Sequence, residues 1–524
     1  MDLFPDPLRK RCFDIPAEAV DNAAAARLHD GVGPYFLSGV DERMLDVYAR
    51  AADPHDAFEL SRLWLGRIDA ESGPHGVRPW LAERWRASTV RRSVTPEEVL
   101  TSRATVRFIK ELFNFFFQED LYGDLRSDSH LMLSGGAADE KYWGLPEVLK
   151  ECIRYALDCD WYGYSDSCGR IQAREAVAAY ESARIPGVTY DASNIALTMG
   201  GTMAVGTLAD FIVSRSRPPS APALCAAPNY PPLVEAIACR TATRLVPLQA
   251  QGGKMCLEPL LTALSPSTPL VLLQTAANPT GAGVDERDLA RLLNALSPAT
   301  LILLDECHEW LGPENRLSPA RAARNVVRIS SLSKHWSAPG IKVGWITADS
   351  VLIAEYYKYA STHFGGPPSL FYTLIEVLTR MERWRVTGVR SVGAEEVREF
   401  DATYGLTKER LQAAYANFSA EREARLRSLL VLRDAAHARL SQFATVIRPR
   451  HSINTTVMLP GWNDSYRCFR DLLRETGVAT YPGILNFCFS GGAVRLTSAR
   501  SWQDIDTATR RLSAHVGSET LPYG

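Results

Sequence analysis

Ser331-Leu332-Ser333-Lys334-His335-Trp336-Ser337-Ala338-Pro339-Gly340-Ile341-Lys342-Val343-Gly344-Trp345 sets one lysine after two hydroxyls and before a glycine turn and a second cation. The stretch follows a mostly apolar run, Val326 to Ile329, which places the lysine on a loop just beyond a buried strand. An amine forms a Schiff base with an aldehyde cofactor only when it is held in place and partly deprotonated, and nearby hydroxyls and a cation are what a cofactor phosphate needs. The pattern suits a lysine that carries pyridoxal 5′-phosphate, and Lys334 is the first candidate. Lysine is scarce in this chain, at 10, 110, 141, 150, 254, 334, 342, 358 and 408 among 58 basic residues. Two of those lysines share this one loop, which argues against an ordinary surface residue.

Outward from that loop, residues 190 to 350 alternate short apolar runs with helical patterns. Runs at Ile195 to Thr198, Ala223 to Ala227, Thr243 to Pro247, Leu270 to Gln274, Leu301 to Leu304 and Val326 to Ile329 read as strands. Helices are expected between them, from Thr202, Pro231, Glu258 and Asp285. This alternation predicts an α/β fold with a mostly parallel sheet covered on both faces, and functional groups on the loops at the strands' carboxyl ends. The domains are expected as a helical extension over 1–125, an N-terminal part of a smaller domain with a substrate loop over 126–185, a large cofactor-binding domain over 186–355, and the α+β remainder of the smaller domain over 356–524. The charged stretch near 381–427, with Glu395 to Phe400 and Lys408 to Arg425 as exposed helices, reads as an insertion, and Leu426 to Phe443 as a further helix. The run Phe113 to Phe117 reads as core, because charges flank it on both sides.

Composition narrows the function. A formal charge of −2 and a pI near 6.6 supply no basic field for a nucleic acid, so none is expected as a partner. No run reaches about 18 apolar residues and the N-terminus lacks a signal-peptide pattern, so no membrane contact and a cytoplasmic location are expected. The ten cysteines form no Cys-x-x-Cys pair or zinc spacing, and they are expected to be reduced, with no metal bound.

Further motifs follow the expected strands in order. Gly200-Gly201-Thr202 opens a helix after a strand, which presents backbone N–H groups and a positive dipole end to an anion. Asn278-Pro279-Thr280-Gly281 follows Leu270 to Gln274, and Asp305-Glu306-Cys307-His308 follows Leu301 to Leu304. Arg495 lies in the extended Ala493 to Thr497 segment.

With Tyr162-Gly163-Tyr164, Gly169, Gln172-Ala173-Arg174 and Pro228-Asn229-Tyr230 added, the series resembles the class I/II aminotransferases, fold type I pyridoxal phosphate enzymes related to aspartate aminotransferase. The resemblance covers about residues 128 to 524. It implies that Lys334 forms the Schiff base and shuttles the proton, that Asp305 pairs with the pyridine nitrogen, and that Asn278 donates to the phenolic oxygen. Tyr230 would stack on the cofactor ring, and Gly201, Thr202, Ser331, Ser333 and Lys342 would bind its phosphate. Tyr164 matches a tyrosine that reaches the phosphate of a neighbouring subunit, which implies a homodimer. Arg495 matches the α-carboxylate clamp, and Gly136 in Leu133-Ser134-Gly135-Gly136 resembles the glycine loop near the substrate.

Two positions depart from the family pattern. His308 stands where a tyrosine commonly donates to the phenolic oxygen, and its charge is expected to change near neutral pH. Lys342 replaces an arginine, giving a point charge in place of a bidentate fork. The expected function is an aminotransferase acting on an α-amino acid. The alternative is decarboxylation, or β/γ-elimination or replacement with carbon–carbon bond formation, for example on aspartate or S-adenosylmethionine. A non-catalytic regulator that binds the same cofactor is a third reading.

Overall fold

The computed structural model describes all residues except 1, 6, 10, 27–31, 216–220, 314–315, 364–366 and 520–524. A seven-stranded sheet forms its centre, built from β1 (Ile195–Thr198), β2 (Ala223–Ala227), β3 (Thr243–Pro247), β4 (Leu270–Gln274), β5 (Leu301–Asp305), β6 (Val326–Ser331) and β7 (Gly344–Thr347). The strand order is β1-β7-β6-β5-β4-β2-β3; β7 runs antiparallel to β1 and β6, and the other pairings are parallel. The first six strands are those the alternating pattern predicts. β7 is not among them, because it follows β6 across the lysine loop with no helical crossover to announce it.

Alternation across the sheet explains the apolar runs. Leu270 and Leu272 of β4 share one face with Leu303 and Ile329, whereas Val271 and Leu273 share the other with Ile302 and Leu304. Helices Gly201–Arg215 and Pro231–Ala238 pack on the first face, and Glu258–Ala263 and Glu286–Ala295 on the second. A sheet covered on both sides buries every side chain of its central strands, so no polar alternation survives in the sequence.

A second, four-stranded antiparallel sheet holds β8 (Thr445–Ile447), β9 (Asn454–Met458), β10 (Tyr481–Pro482) and β11 (Val494–Thr497) in the order β8-β9-β11-β10. Helices Ser465–Thr476 and Trp502–Glu519 accompany it. The N-terminal extension is helical, and it is fused to the rest. Its helices Glu42–Arg50, Ala57–Glu71 and Arg103–Phe115 share one hydrophobic core with Leu208, Leu233 and Phe469. Buried ion pairs bind it to the C-terminal part, Arg67 with Asp464, and Arg470 with Asp69 at 3.0 Å.

Two expectations are corrected. Of residues 126–185, Leu131–Met132 does pair with Val478–Ala479, but helices Glu147–Asp158 and Ile171–Arg184 share a core with Leu197 of β1 and Trp345 of β7. Within the stretch 381–427 the expected exposed helix near Glu395 is present as Ala394–Arg398, but the stretch begins inside helix Tyr372–Thr387, and Lys408 to Arg425 is no separate exposed helix, being part of one continuous, largely buried helix, Lys408–Leu440. The charges mislead because several are buried with partners, as where Arg425 donates to the Gly144 carbonyl at 3.1 Å and Arg433 to that of Leu311 at 2.7 Å. Among the described residues no helix is long and apolar enough to cross a membrane.

Candidate active site

The carboxyl ends of the parallel strands bring most of the sequence-predicted residues to one edge of the sheet. Gly201 and Thr202 begin the helix after β1, Tyr230 the helix after β2, Asn278 follows β4, Asp305 ends β5 with His308 just beyond, and Ser331 ends β6. Lys334 lies in the short helix Leu332–His335 that follows. β7 runs the opposite way, so its amino end returns Lys342 to this edge, and Gly344 sits in register between Thr198 and Ser331.

Arg495 of β11 and Gly136 meet Lys334 from the other sheet's side. The Lys334 Nζ donates to the Gly136 carbonyl at 3.0 Å, and a Cβ on Gly136 would lie 3.4 Å from Nζ and 3.6 Å from Arg495 Nη2. Burial and then the Arg495 charge, against the opposing pull of Cys307 and Asp305, bring the Lys334 ammonium down to a pKa of about 8. Arg495 is 4% exposed, and among the described residues no carboxylate lies within ion-pair distance of it. It donates instead to Asn278 Oδ1 and to the Ser134 carbonyl, each at 2.8 Å.

Asp305 is the complementary case. It is 4% exposed, accepts from Gln274 Nε2 at 2.8 Å and from the Cys307 amide at 3.0 Å, and among the described residues pairs with no cation. A buried carboxylate with neutral donors and no counter-charge fits a protonated pyridine nitrogen. A phosphate is matched at the edge near β1. Gly200 has φ +82°, and a Cβ on Gly201 would lie 2.7 Å from Cys307 Sγ, so only glycine lets this helix start come so close to the loop after β5. The Lys342 Cα lies 3.9 Å from the Cβ position of Gly200. The start of this helix, Ser331 at the end of β6 and the Lys342 backbone thus lie at one edge, where helix amides, hydroxyls and a cation fit the phosphate of pyridoxal phosphate.

The sequence profile of the family "Aminotransferase class I and II" matches residues 134–511. The chain belongs to this family. Valine–pyruvate aminotransferase of Mycobacterium tuberculosis is 24% identical over 404 residues, covering 75% of this chain and 94% of that protein. Aspartate aminotransferase of Pyrococcus horikoshii is 26% identical over 250 residues, 46% of this chain and 62% of that one. Among solved structures, a double mutant of Thermus thermophilus aspartate aminotransferase superposes with a TM-score of 0.60 at 19% identity, covering 81% of this chain and 99% of its own. N-succinyldiaminopimelate aminotransferase from Mycobacterium tuberculosis gives 0.60 at 20% identity, covering 81% and 100%. These structures share the fold.

Within this class I and II aminotransferase, one expectation at the site fails. His308 is buried, and burial followed by the Lys334 and Arg495 charges holds its imidazole well below the ordinary value, so its charge does not change near neutral pH. Tyr164 is fully exposed. Sequence reasoning misses Gln274, whose signal is a lone polar residue closing an apolar strand, in register with Asp305. It also misses Tyr481, whose ring lies 4.0 Å from the Arg495 guanidinium carbon. A cavity of about 770 Å³ is lined by Trp310, His335 and Arg385 and also by Cys307 after β5 and Ser331 at the end of β6, but Lys334, Asn278 and Arg495 do not line it.

Proposed function

We propose that the protein is a pyridoxal 5′-phosphate-dependent aminotransferase that takes the amino group from an α-amino acid and passes it to a keto acid. One observation carries this reading: the Lys334 amine, held on the Gly136 carbonyl, lies near two buried groups of opposite charge, Arg495 and Asp305, neither of which forms an ion pair among the described residues. When bound, the cofactor supplies an electron sink and a temporary carrier for the amino group. Asp305 holds a proton at the pyridine nitrogen, oriented by Gln274. Arg495 takes the substrate α-carboxylate in a planar fork. Lys334, uncharged in a large fraction near its pKa, takes the α-proton and returns it at the cofactor's C4′ carbon. Asn278, whose Oδ1 is occupied by Arg495, has Nδ2 free to donate to the phenolic oxygen.

The names of the relatives support this class of reaction and leave the amino acid open. Full exposure of Tyr164 supports a homodimer in which that tyrosine reaches the partner's phosphate site. Free cysteines throughout the described chain support a reducing, cytoplasmic location. The test is reconstitution with pyridoxal phosphate, incubation with single amino acids, and mass spectrometry of the products. A keto acid with stoichiometric pyridoxamine phosphate is expected. Carbon dioxide, or an eliminated group with the cofactor unchanged, would assign the chain to decarboxylation or elimination instead.

A further inference from the structure

Four aromatic rings run in a circuit of contacts that starts at the Arg495 guanidinium and ends at Tyr230, beside it. Arg495 lies 4.0 Å over Tyr481, Tyr481 is 6.4 Å from Phe117, Phe117 is 5.0 Å from Phe113, and Phe113 is 5.8 Å from Tyr230. Tyr230, at the other end of this run, lies near enough to Arg495 for that charge to favour its ionised phenol, against the larger effect of its burial. Tyr481 sits opposite Arg495 in the β10–β11 ladder, whereas Phe113 and Phe117 come from the N-terminal extension, on helix Arg103–Phe115 and the wider turns that continue it. Tyr481 is fully packed, but Phe113 and Phe117 each keep part of their surface open, as does Tyr230, one face of which the cofactor ring would take.

Those open faces have a defined geometry. Phe113 meets Tyr230 at 77° and Phe117 at 68°, both edge-on, and Phe117 is tilted at 48° to Tyr481. An aromatic group entering it would continue an edge-to-face array, the arrangement such rings prefer. We infer that this circuit is the side-chain subsite, and that the substrate is an amino acid carrying an uncharged aromatic ring. The inference rests on the reading of Arg495 as the carboxylate clamp, which fixes the substrate at one vertex of the circuit. It also gives the extension a role, since Phe113 and Phe117 belong to the segment that precedes the family match. Lys110, 4.9 Å over the Phe113 ring, is engaged with Asn114 and lies near Glu111 and Glu235, so it does not make the subsite a carboxylate site.

Two measurements test this. In the first, kcat and KM are determined on the reconstituted enzyme for phenylalanine, tyrosine, alanine, aspartate and S-adenosylmethionine. Phenylalanine or tyrosine is expected to exceed alanine at least about tenfold in kcat/KM, and the phenylalanine-to-alanine ratio should fall about tenfold or more in Phe117→Ala, mainly through KM. Phe117→Leu, which keeps apolar bulk, should lose less. Preference for aspartate or S-adenosylmethionine, or an equal loss for both amino acids in the variants, overturns the inference. In the second, calorimetry compares 3-phenylpropionate with propionate, two carboxylates that cannot be transaminated. Tighter binding of 3-phenylpropionate, lost in Phe117→Ala, supports the subsite even if turnover fails, which would count against the aminotransferase reading alone. Equal binding of the two acids overturns the subsite itself.

Discussion

Arg495 donates through Nη1 to Asn278 Oδ1 and through Nη2 to the Ser134 carbonyl, both at 2.8 Å, so the plane of its guanidinium is fixed before any substrate arrives. Preorganisation of this kind lowers the ordering cost of binding. Arg495→Lys keeps the charge and loses the fork, and KM for amino acids is expected to rise about 10- to 100-fold with a smaller change in kcat. Steady-state kinetics with the parent amino acid check it; an unchanged KM would remove Arg495 from the carboxylate site.

Lys334 should react as an amine of lowered pKa. The neutral fraction rises with pH through about 8, so the rate of imine formation between cofactor-free protein and pyridoxal phosphate should climb to that point and then level off. A lysine at the ordinary value would keep gaining to beyond pH 10 or so. Lys334→Ala should abolish turnover and the imine absorption, and borohydride reduction with peptide mapping identifies the modified residue. Label on any other lysine sinks the assignment.

Asp305→Asn keeps the shape and removes the counter-charge. The Gln274 and Cys307 donors to this side chain show that it is built into the sheet edge, so the fold should survive. Loss of the proton at the pyridine nitrogen should slow α-proton removal about 100-fold or more. Stopped-flow measurement of the half-reaction decides it, and a near wild-type rate would mean that Asp305 does not face that nitrogen.

The six parallel strands were legible because burial on both faces leaves uninterrupted apolar runs, and the loop residues were legible because each follows such a run. Lys334, Asp305, Asn278 and Gly201 share that signal, local in sequence. Tyr481, Phe113 and Phe117 carry none, for their place beside Arg495 depends on how the extension packs against a sheet hundreds of residues away. The charge-rich helix Lys408–Leu440 failed for the opposite reason: charge reads as solvent exposure until the partners of Arg425 and Arg433 are seen.

A buried ion cluster supports the lysine loop from below. Arg328 of β6 bonds Glu306 at 2.8 Å and Glu181 at 2.7 Å, and Trp345 of β7 donates to Glu181 at 2.9 Å. Burial pushes the Glu306 carboxyl up, but Arg328, Arg321 and Arg184 together hold it well below the usual range. A depressed carboxyl stabilises the fold above its unfolded pKa and loses that contribution as pH falls through the folded value, so the wild type should resist acid. Arg328→Met removes one of the cations that Glu306 and Glu181 share, leaving Arg321 and Arg184 to hold them, and is expected to cost about 1.5–3 kcal/mol. Urea unfolding at neutral pH and an acid titration by circular dichroism test it: unfolding of the variant should move to higher pH, and an unchanged midpoint would show that the cluster is dispensable.

His308 stands beyond β5, where burial, Lys334 and Arg495 all disfavour its protonation. Neither ring nitrogen has a hydrogen-bond partner among the described residues, which leaves an uncharged donor for a bound molecule. A group held well below its ordinary pKa stays neutral as pH rises and gains a proton only below the ordinary imidazole range. The half-reaction rate should therefore show no inflection from imidazole between about pH 5.5 and 8, and the limb that appears should be that of Lys334. His308→Gln supplies a neutral donor of similar reach and should keep the shape of the profile, whereas His308→Leu removes the donor and should shift the pH dependence of the cofactor's absorption. Spectra and rates recorded across this range for the three proteins decide the matter. An inflection near the ordinary imidazole value that His308→Gln abolishes would show the histidine titrating in the working enzyme, and would overturn the neutral-donor role.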